Sequence, residues 1–128
     1  MITPIYAALL ALLFLYLSFR TIGVRRALKV GIGDGGDKAL SRAMRVHANF
    51  AEYVPFILLL LLMLELQLAG SASLMLHVLG LALVVGRCAH AYGVSQPEEV
   101  LYFRKVGMVL TFLVLLITSL WNLALAVF

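Results

Sequence analysis

The chain has 128 residues, which allows a single domain. Hydrophobic residues make up 64% of it and charged residues 12%, whereas soluble globular domains average roughly 45–50% and about 25%. This composition excludes a soluble monomer and an intrinsically disordered chain. The single cysteine excludes an internal disulfide framework and a cysteine-based zinc site, and no metal site is predicted. The net charge of +4 does not indicate nucleic-acid binding, because in a chain this apolar an excess of Lys and Arg reflects the orientation of membrane spans.

Four hydrophobic segments are long enough to cross a bilayer, which takes about 20 apolar residues. The first, Ile2 to Phe19, carries no charge and is followed by a loop rich in glycine and aspartate. The next apolar region is too long for one helix and is interrupted at residues 70–73, which predicts a tight hairpin of two spans. The fourth span ends in the charge-free run Val106 to Phe128, with Glu98 and Glu99 expected in its first turn.

The basic residues predict the orientation of these spans. All ten Lys and Arg residues lie either between Arg20 and Arg45 or between Arg87 and Lys105. Because cytoplasmic loops carry an excess of Lys and Arg, loops one and three are expected in the cytoplasm, with both termini on the other side.

Three of the predicted helices carry polar stripes toward the cytoplasmic half, although a charged residue at the centre of a span costs about 2.5–3.5 kcal/mol. At 100° per residue, the stripe on the second helix lies within an arc of about 80°. The residues are Arg42, Arg45, Asn49 and Glu52 on the second helix, Arg87 and His90 on the third, and Arg104, Thr111, Thr118 and Asn122 on the fourth. A helix bundle would join the stripes into one basic pocket; alternatively, Arg45 and Glu52 form a structural ion pair.

Several other polar residues have simpler interpretations. Glu65 and His77 lie toward the outer hairpin and are expected to contact interfacial water. Thr118 and Asn122 are expected to hydrogen-bond between helices, Arg20 to act as a topology signal at the interface, and Cys88 to be a small packing residue.

A basic pocket open to cytoplasm and lipid suits a ligand with more anionic than cationic groups. Glutathione has two carboxylates that arginines can bind and one ammonium that a glutamate can accept. It also has a thiol, and each unit by which the thiol pKa falls requires about 1.4 kcal/mol of thiolate stabilisation, which a guanidinium can supply. A nucleotide or a phospholipid headgroup would also fit this pocket.

The second helix contains a specific motif, Arg45-Val-His-Ala-Asn49-Phe-Ala-Glu52-Tyr53-Val-Pro55. It resembles the second-helix signature of the MAPEG family, the membrane-associated proteins in eicosanoid and glutathione metabolism, with Val46 in place of an alanine. The segment from Gly23 to Val30 is similar to the end of the first helix in the leukotriene C4 synthase branch. Gly86-Arg87-Cys-Ala-His90 is similar to a motif of the microsomal prostaglandin E synthase branch.

The resemblance implies a homotrimer with glutathione bound between adjacent subunits in the cytoplasmic half. It implies the following assignments: Arg45, Asn49, Glu52 and Tyr53 hold glutathione, Arg25, Arg87 and His90 assist, and Arg104 stabilises the thiolate. The loop before the fourth helix is longer than in the leukotriene branch, and no serine accompanies Arg104 as it does in the prostaglandin branch.

We therefore predict an all-α membrane protein, a single four-transmembrane-helix domain over residues 1–128 assembled as a homotrimer in a bacterial inner membrane. Glutathione is the expected co-substrate, conjugated to lipophilic electrophiles or used to reduce lipid hydroperoxides, with membrane lipid as a further partner and no nucleic acid. A non-catalytic lipid-binding scaffold of the same fold is one alternative. A small proton-coupled exporter is another, although the first span lacks the carboxylate that such transport needs.

Overall fold

The computed structural model of the protein describes residues 1–69 and 71–127. Four helices account for most of these residues: α1 (Thr3–Leu28), α2 (Lys38–Leu68), α3 (Ser73–Ser95) and α4 (Leu101–Val127). Each is long and apolar enough to span a membrane, and the shortest has 23 residues, or about 35 Å at 1.5 Å per residue. The structure confirms the predicted all-α fold with four membrane spans.

The first loop is shorter than the sequence predicted, because α1 continues nine residues beyond Phe19. Two arginines in its last turn favour this extension, since cations stabilise a helix C-terminus. At the other end of the loop, the side chain of Asp37 accepts a hydrogen bond from the backbone N–H of Leu40 at 2.8 Å and caps α2. Within the loop, a hydrogen bond from the Gly36 backbone N–H lowers the pKa of Asp34.

The expected position of Glu98 and Glu99 is wrong, because α4 begins only at Leu101 and both residues lie in the connection before it. The backbone N–H of Val100 donates to the carbonyl of Gly93 on α3 at 3.0 Å, so the connection folds back onto the preceding helix. The first hydrogen bond of α4 is then the one from the Arg104 N–H to the Val100 carbonyl.

The outer hairpin also differs from expectation, because Glu65 is buried and bonds the backbone at the start of α1. Its buried carboxylate accepts hydrogen bonds from the backbone N–H groups of Ile2 and Thr3 at the start of α1. A carboxylate suits a helix N-terminus, where N–H groups lack partners within the helix. His77 is exposed but contacts Tyr6, with 2.8 Å between its Nδ1 and the phenol oxygen.

One predicted interhelical contact is confirmed at the same end of the bundle. Asn122 on α4 donates to the Leu60 carbonyl of α2 at 2.9 Å and accepts from Gln67 at 2.7 Å. Thr118 instead donates to the Val114 carbonyl of its own helix.

The α3 and α4 backbones approach closely where glycines face each other. A Cβ built on Gly107 would lie 2.5 Å from the Gly86 carbonyl oxygen and 2.6 Å from the His90 Cβ. Small residues at such crossings allow helices to pack in membranes. This crossing determines where His90 on α3 lies relative to the first turns of α4.

Replacing Gly107 with alanine is expected to destabilise the protein by ~1–3 kcal/mol, because the two backbones would have to separate. Thermal unfolding in detergent measures this effect. Gly23→Ala is the matched control, since a Cβ there has no atom within 4 Å in the described structure. Equal melting temperatures for the two variants would show that the helices can adjust at the crossing.

Candidate functional site

The polar stripes of α2, α3 and α4 meet at an open cavity of about 280 Å³. It is lined by Ser41, Arg42, Arg45, Asn49, His90, Val94, Glu99 and Arg104. Four of the predicted site residues are in this set: Arg45, Asn49, His90 and Arg104. Three arginines against one glutamate give the cavity a positive balance, which favours an anionic ligand.

Arg87 lies behind the wall of this cavity and is 1% exposed. Its Nη2 donates to the Asn49 Oδ1 at 2.7 Å, and its Nη1 donates to the Thr111 Oγ1 at 3.3 Å. Its guanidinium carbon lies 5.7 Å from the centre of the Phe50 ring. These partners hold the guanidinium by contacts from α2 and α4, although Arg87 itself belongs to α3.

The charge of Arg87 has no acidic partner among the residues the structure describes. Its Nε is also buried without a hydrogen-bond partner there. Arg87 lies eight residues before the end of α3, about 12 Å along the helix axis. A cation buried at that depth without a counter-charge costs free energy, and such residues are functional candidates in membrane proteins.

The side chain of His90 lines the cavity and contacts Arg87. Arg87 Nη2 lies 3.3 Å from the His90 Nδ1, and because a guanidinium can only donate, Nδ1 is the acceptor. The proton of the neutral ring is then assigned to Nε2. His90 and Asn49 thus connect the buried guanidinium to the cavity wall.

Arg104 is paired with Glu99, which was not among the predicted site residues. Its Nη1 lies 2.6 Å from the Glu99 Oε1, and 49% of its side chain is exposed. The connection between α3 and α4 brings Glu99 to the cavity because it folds back onto Gly93. The two residues are five positions apart in the sequence, and this short separation of opposite charges was the sequence signal for their contact.

Three other predicted site residues lie outside the cavity lining. Glu52 is exposed, and Tyr53 packs against Phe112 of α4 with ring centres 5.5 Å apart. Arg25 donates to the Gly33 carbonyl at 2.8 Å and so organises the first loop. The alternative ion pair between Arg45 and Glu52 does not form in the described part of the chain.

Comparison with known proteins identifies the family. The sequence profile of the MAPEG family matches residues 3–124. The chain belongs to the MAPEG family. Membership confirms the family predicted from the sequence, and with four apolar helices it makes this MAPEG chain a multi-pass membrane protein.

Two similar proteins come from Escherichia coli, one from strain K12 and one from the O6:H1 strain CFT073. Each is named inner membrane protein YecN and is 37% identical over 123 residues. The alignment covers 96% of this chain and 91% of each relative, so the similarity extends over all four helices.

Proposed function

We propose that this MAPEG chain binds glutathione and transfers its thiolate to lipophilic electrophiles, or uses it to reduce lipid hydroperoxides. The observation that carries the proposal is Arg87, a buried cation without an acidic partner in the described structure, directly behind a cavity lined by three more arginines. A ligand with a surplus of negative charge would balance this arrangement. Glutathione has that surplus and is the ligand class associated with the family.

The proposed roles follow the chemistry of each side chain. Arg45 and Arg87 balance the two carboxylates, Asn49 bonds the peptide portion, and His90 donates from Nε2. Arg104 stabilises the thiolate, because a nearby cation favours the ionised form of a thiol. The electrophile is expected to reach that sulfur from the lipid side.

Glu52, Tyr53 and Arg25 enter the proposal through a homotrimer. The resemblance to the family implies that glutathione lies between subunits, so residues outside the cavity of one chain can contact a ligand held by its neighbour. The exposure of Glu52 on the same helix as Arg45 and Asn49 is compatible with this arrangement. In that assembly Glu52 binds the ammonium, Tyr53 contacts the peptide portion, and Arg25 assists from the last turn of α1.

We place the protein in a bacterial inner membrane, as the names of the Escherichia coli relatives suggest. The arginines of the cavity belong to the two basic regions, 20–45 and 87–105, and the positive-inside rule puts both on the cytoplasmic side. The site would then open toward a cytoplasmic pool of glutathione.

Calorimetric titration of the detergent-purified protein with glutathione tests the proposal. Wild type is expected to bind saturably, and Arg45→Ala and Glu52→Ala are expected to weaken binding at least tenfold, by about 1.4 kcal/mol or more. Arg26→Ala is the matched control, because Arg26 lies in the last turn of α1, outside the cavity.

Absence of binding by the wild type at millimolar glutathione would refute the transferase proposal. Equal weakening by Arg45→Ala and Arg26→Ala would mean that the arginines act only through general surface charge. A lipid-binding scaffold would then be the better interpretation of the fold.

Glu99→Gln is expected to tighten glutathione binding several-fold at neutral pH. The Glu99 carboxylate forms an ion pair with Arg104 at 2.6 Å and adds negative charge where the thiolate is expected. A neutral amide leaves Arg104 free and removes the repulsion. Titrations at low and high salt measure this change, and Glu98→Gln is the control because Glu98 is outside the cavity lining. Weaker binding by Glu99→Gln would instead assign Glu99 to the ligand's ammonium.

A further inference from the structure

A second cavity lies between α1 and α3 and shares no lining residue with the basic cavity, although Arg42 of the basic cavity donates to the Gln96 carbonyl at 2.6 Å. Its volume is about 430 Å³, larger than that of the basic cavity. It exists because α1 packs mainly against α2 and touches α3 only lightly. Leu13 and Leu17 of α1 and Ala91 of α3 form its apolar wall. We call this cavity the α1–α3 groove.

One end of the α1–α3 groove is polar. Arg20 donates from Nη1 to the Ser95 Oγ at 2.5 Å, so the guanidinium lies beside the last residue of α3. Gln96, the next residue, also lines this end. Arg20 thus contacts α3, and its predicted role as a topology signal does not account for that contact. Leu13, in the apolar wall, and Arg20, at the polar end, are seven positions apart on α1, or about 10 Å along the helix axis.

The α1–α3 groove carries a positive charge, which favours an anionic ligand. Arg20 is the only charged residue in the groove lining, and none of the lining residues is acidic. A guanidinium has five N–H donors arranged as a fork that suits phosphate oxygens. Among the described residues, Arg20 uses one of them, toward Ser95. The remaining donors can bind an anion at the end of an apolar channel.

Two tyrosines border the groove and indicate which surface it faces. Tyr16 of α1 is 63% exposed and Tyr92 of α3 is 55% exposed. Both belong to apolar spans, so their rings face the bilayer near its interface, where tyrosine is enriched. This placement is typical of a groove that opens toward lipid.

We propose that the α1–α3 groove binds one acyl chain of an anionic phospholipid, whose phosphate is held by Arg20. The apolar wall contacts the upper part of the chain, and Ser95 and Gln96 contact the headgroup. This site is separate from the basic cavity, so the proposal does not depend on glutathione binding. A zwitterionic phospholipid is a weaker ligand, because its headgroup cation faces Arg20 and no carboxylate balances it.

Cys88 provides a natural reporter for occupancy of the groove. It lines the groove, is exposed, and is the only cysteine of the chain. It lies seven residues before Ser95, about 10 Å deeper along α3. An acyl chain in the groove would cover its thiol and slow alkylation.

The experiment measures alkylation of Cys88 by N-ethylmaleimide in the full-length protein, read by intact-mass spectrometry. The protein is reconstituted in vesicles of phosphatidylcholine alone and in vesicles that also contain phosphatidylglycerol. We expect several-fold slower alkylation when phosphatidylglycerol is present. The wild-type comparison needs no variant and so does not depend on the folding of a mutant.

Two variants separate groove occupancy from the surface potential of the vesicle. Arg20→Gln is expected to abolish the difference between the membranes, whereas Arg26→Gln, which removes a charge outside the groove, is expected to retain it. Equal slowing in all three proteins would assign the effect to surface potential and overturn the proposal. Equally slow alkylation in both membranes, relieved by detergent, would mean that a second copy of the chain covers the groove, and would also overturn it.

Discussion

Replacing Arg104 with alanine is expected to lower the conjugation rate about 8- to 25-fold at pH 7, while glutathione affinity changes much less. A free thiol has a pKa near 8.5, and one guanidinium can lower that value by about one or two units. Without Arg104, the thiolate fraction would fall by the corresponding factor. In the proposed reaction the thiolate is the nucleophile, whereas the carboxylates of glutathione are expected to supply most of the binding energy.

The measurement pairs steady-state conjugation of a chlorodinitrobenzene with the ultraviolet absorbance of bound thiolate, titrated against pH. In Arg104→Ala the apparent pKa of the bound thiol should rise toward its free value, and raising the pH should restore much of the rate. Lys105→Ala is the matched control, because Lys105 is an adjacent exposed cation outside the cavity. Parallel loss of affinity and rate, with no change in the pH profile, would make Arg104 a binding residue only.

Replacing Arg87 with methionine is expected to weaken glutathione binding at least about 30-fold, by ~2 kcal/mol or more. The loss has two causes. The cavity loses the positive field of a buried guanidinium, and Asn49 and His90 lose the partner that orients them at the cavity wall.

The same substitution is expected to leave thermal stability unchanged or to raise it. Methionine has a similar volume, and a buried cation without an acidic partner in the described structure costs free energy in the unliganded protein. Asn49 is half-buried and can bond water instead, and Thr111 keeps its bond to the Gly107 carbonyl. Thermal unfolding and calorimetry on the same samples test this pairing of effects. If stability and binding were lost together, Arg87 would have a structural role.

The four spans and the second-helix stripe could be predicted from the sequence because both depend on local properties. Apolar length alone identifies a segment that must cross a bilayer in a regular helix, since its backbone groups have no water to bond. The 100° rotation per residue then places Arg45 and Asn49 on one face, and both line the cavity. The family motif is a continuous stretch of that same helix, so the family could be identified from the sequence without knowing how the helices pack.

The tertiary structure decided which side chains complete the site and where the remaining charges lie. Glu99 enters the cavity through a backbone contact between Val100 and Gly93. Glu65 caps α1 from 62 residues away, and Arg87 on α3 is held by partners on α2 and α4. The α1–α3 groove likewise depends on how lightly those two helices touch. These features depend on distances between segments that only packing brings together, and helical periodicity carries no information about such distances.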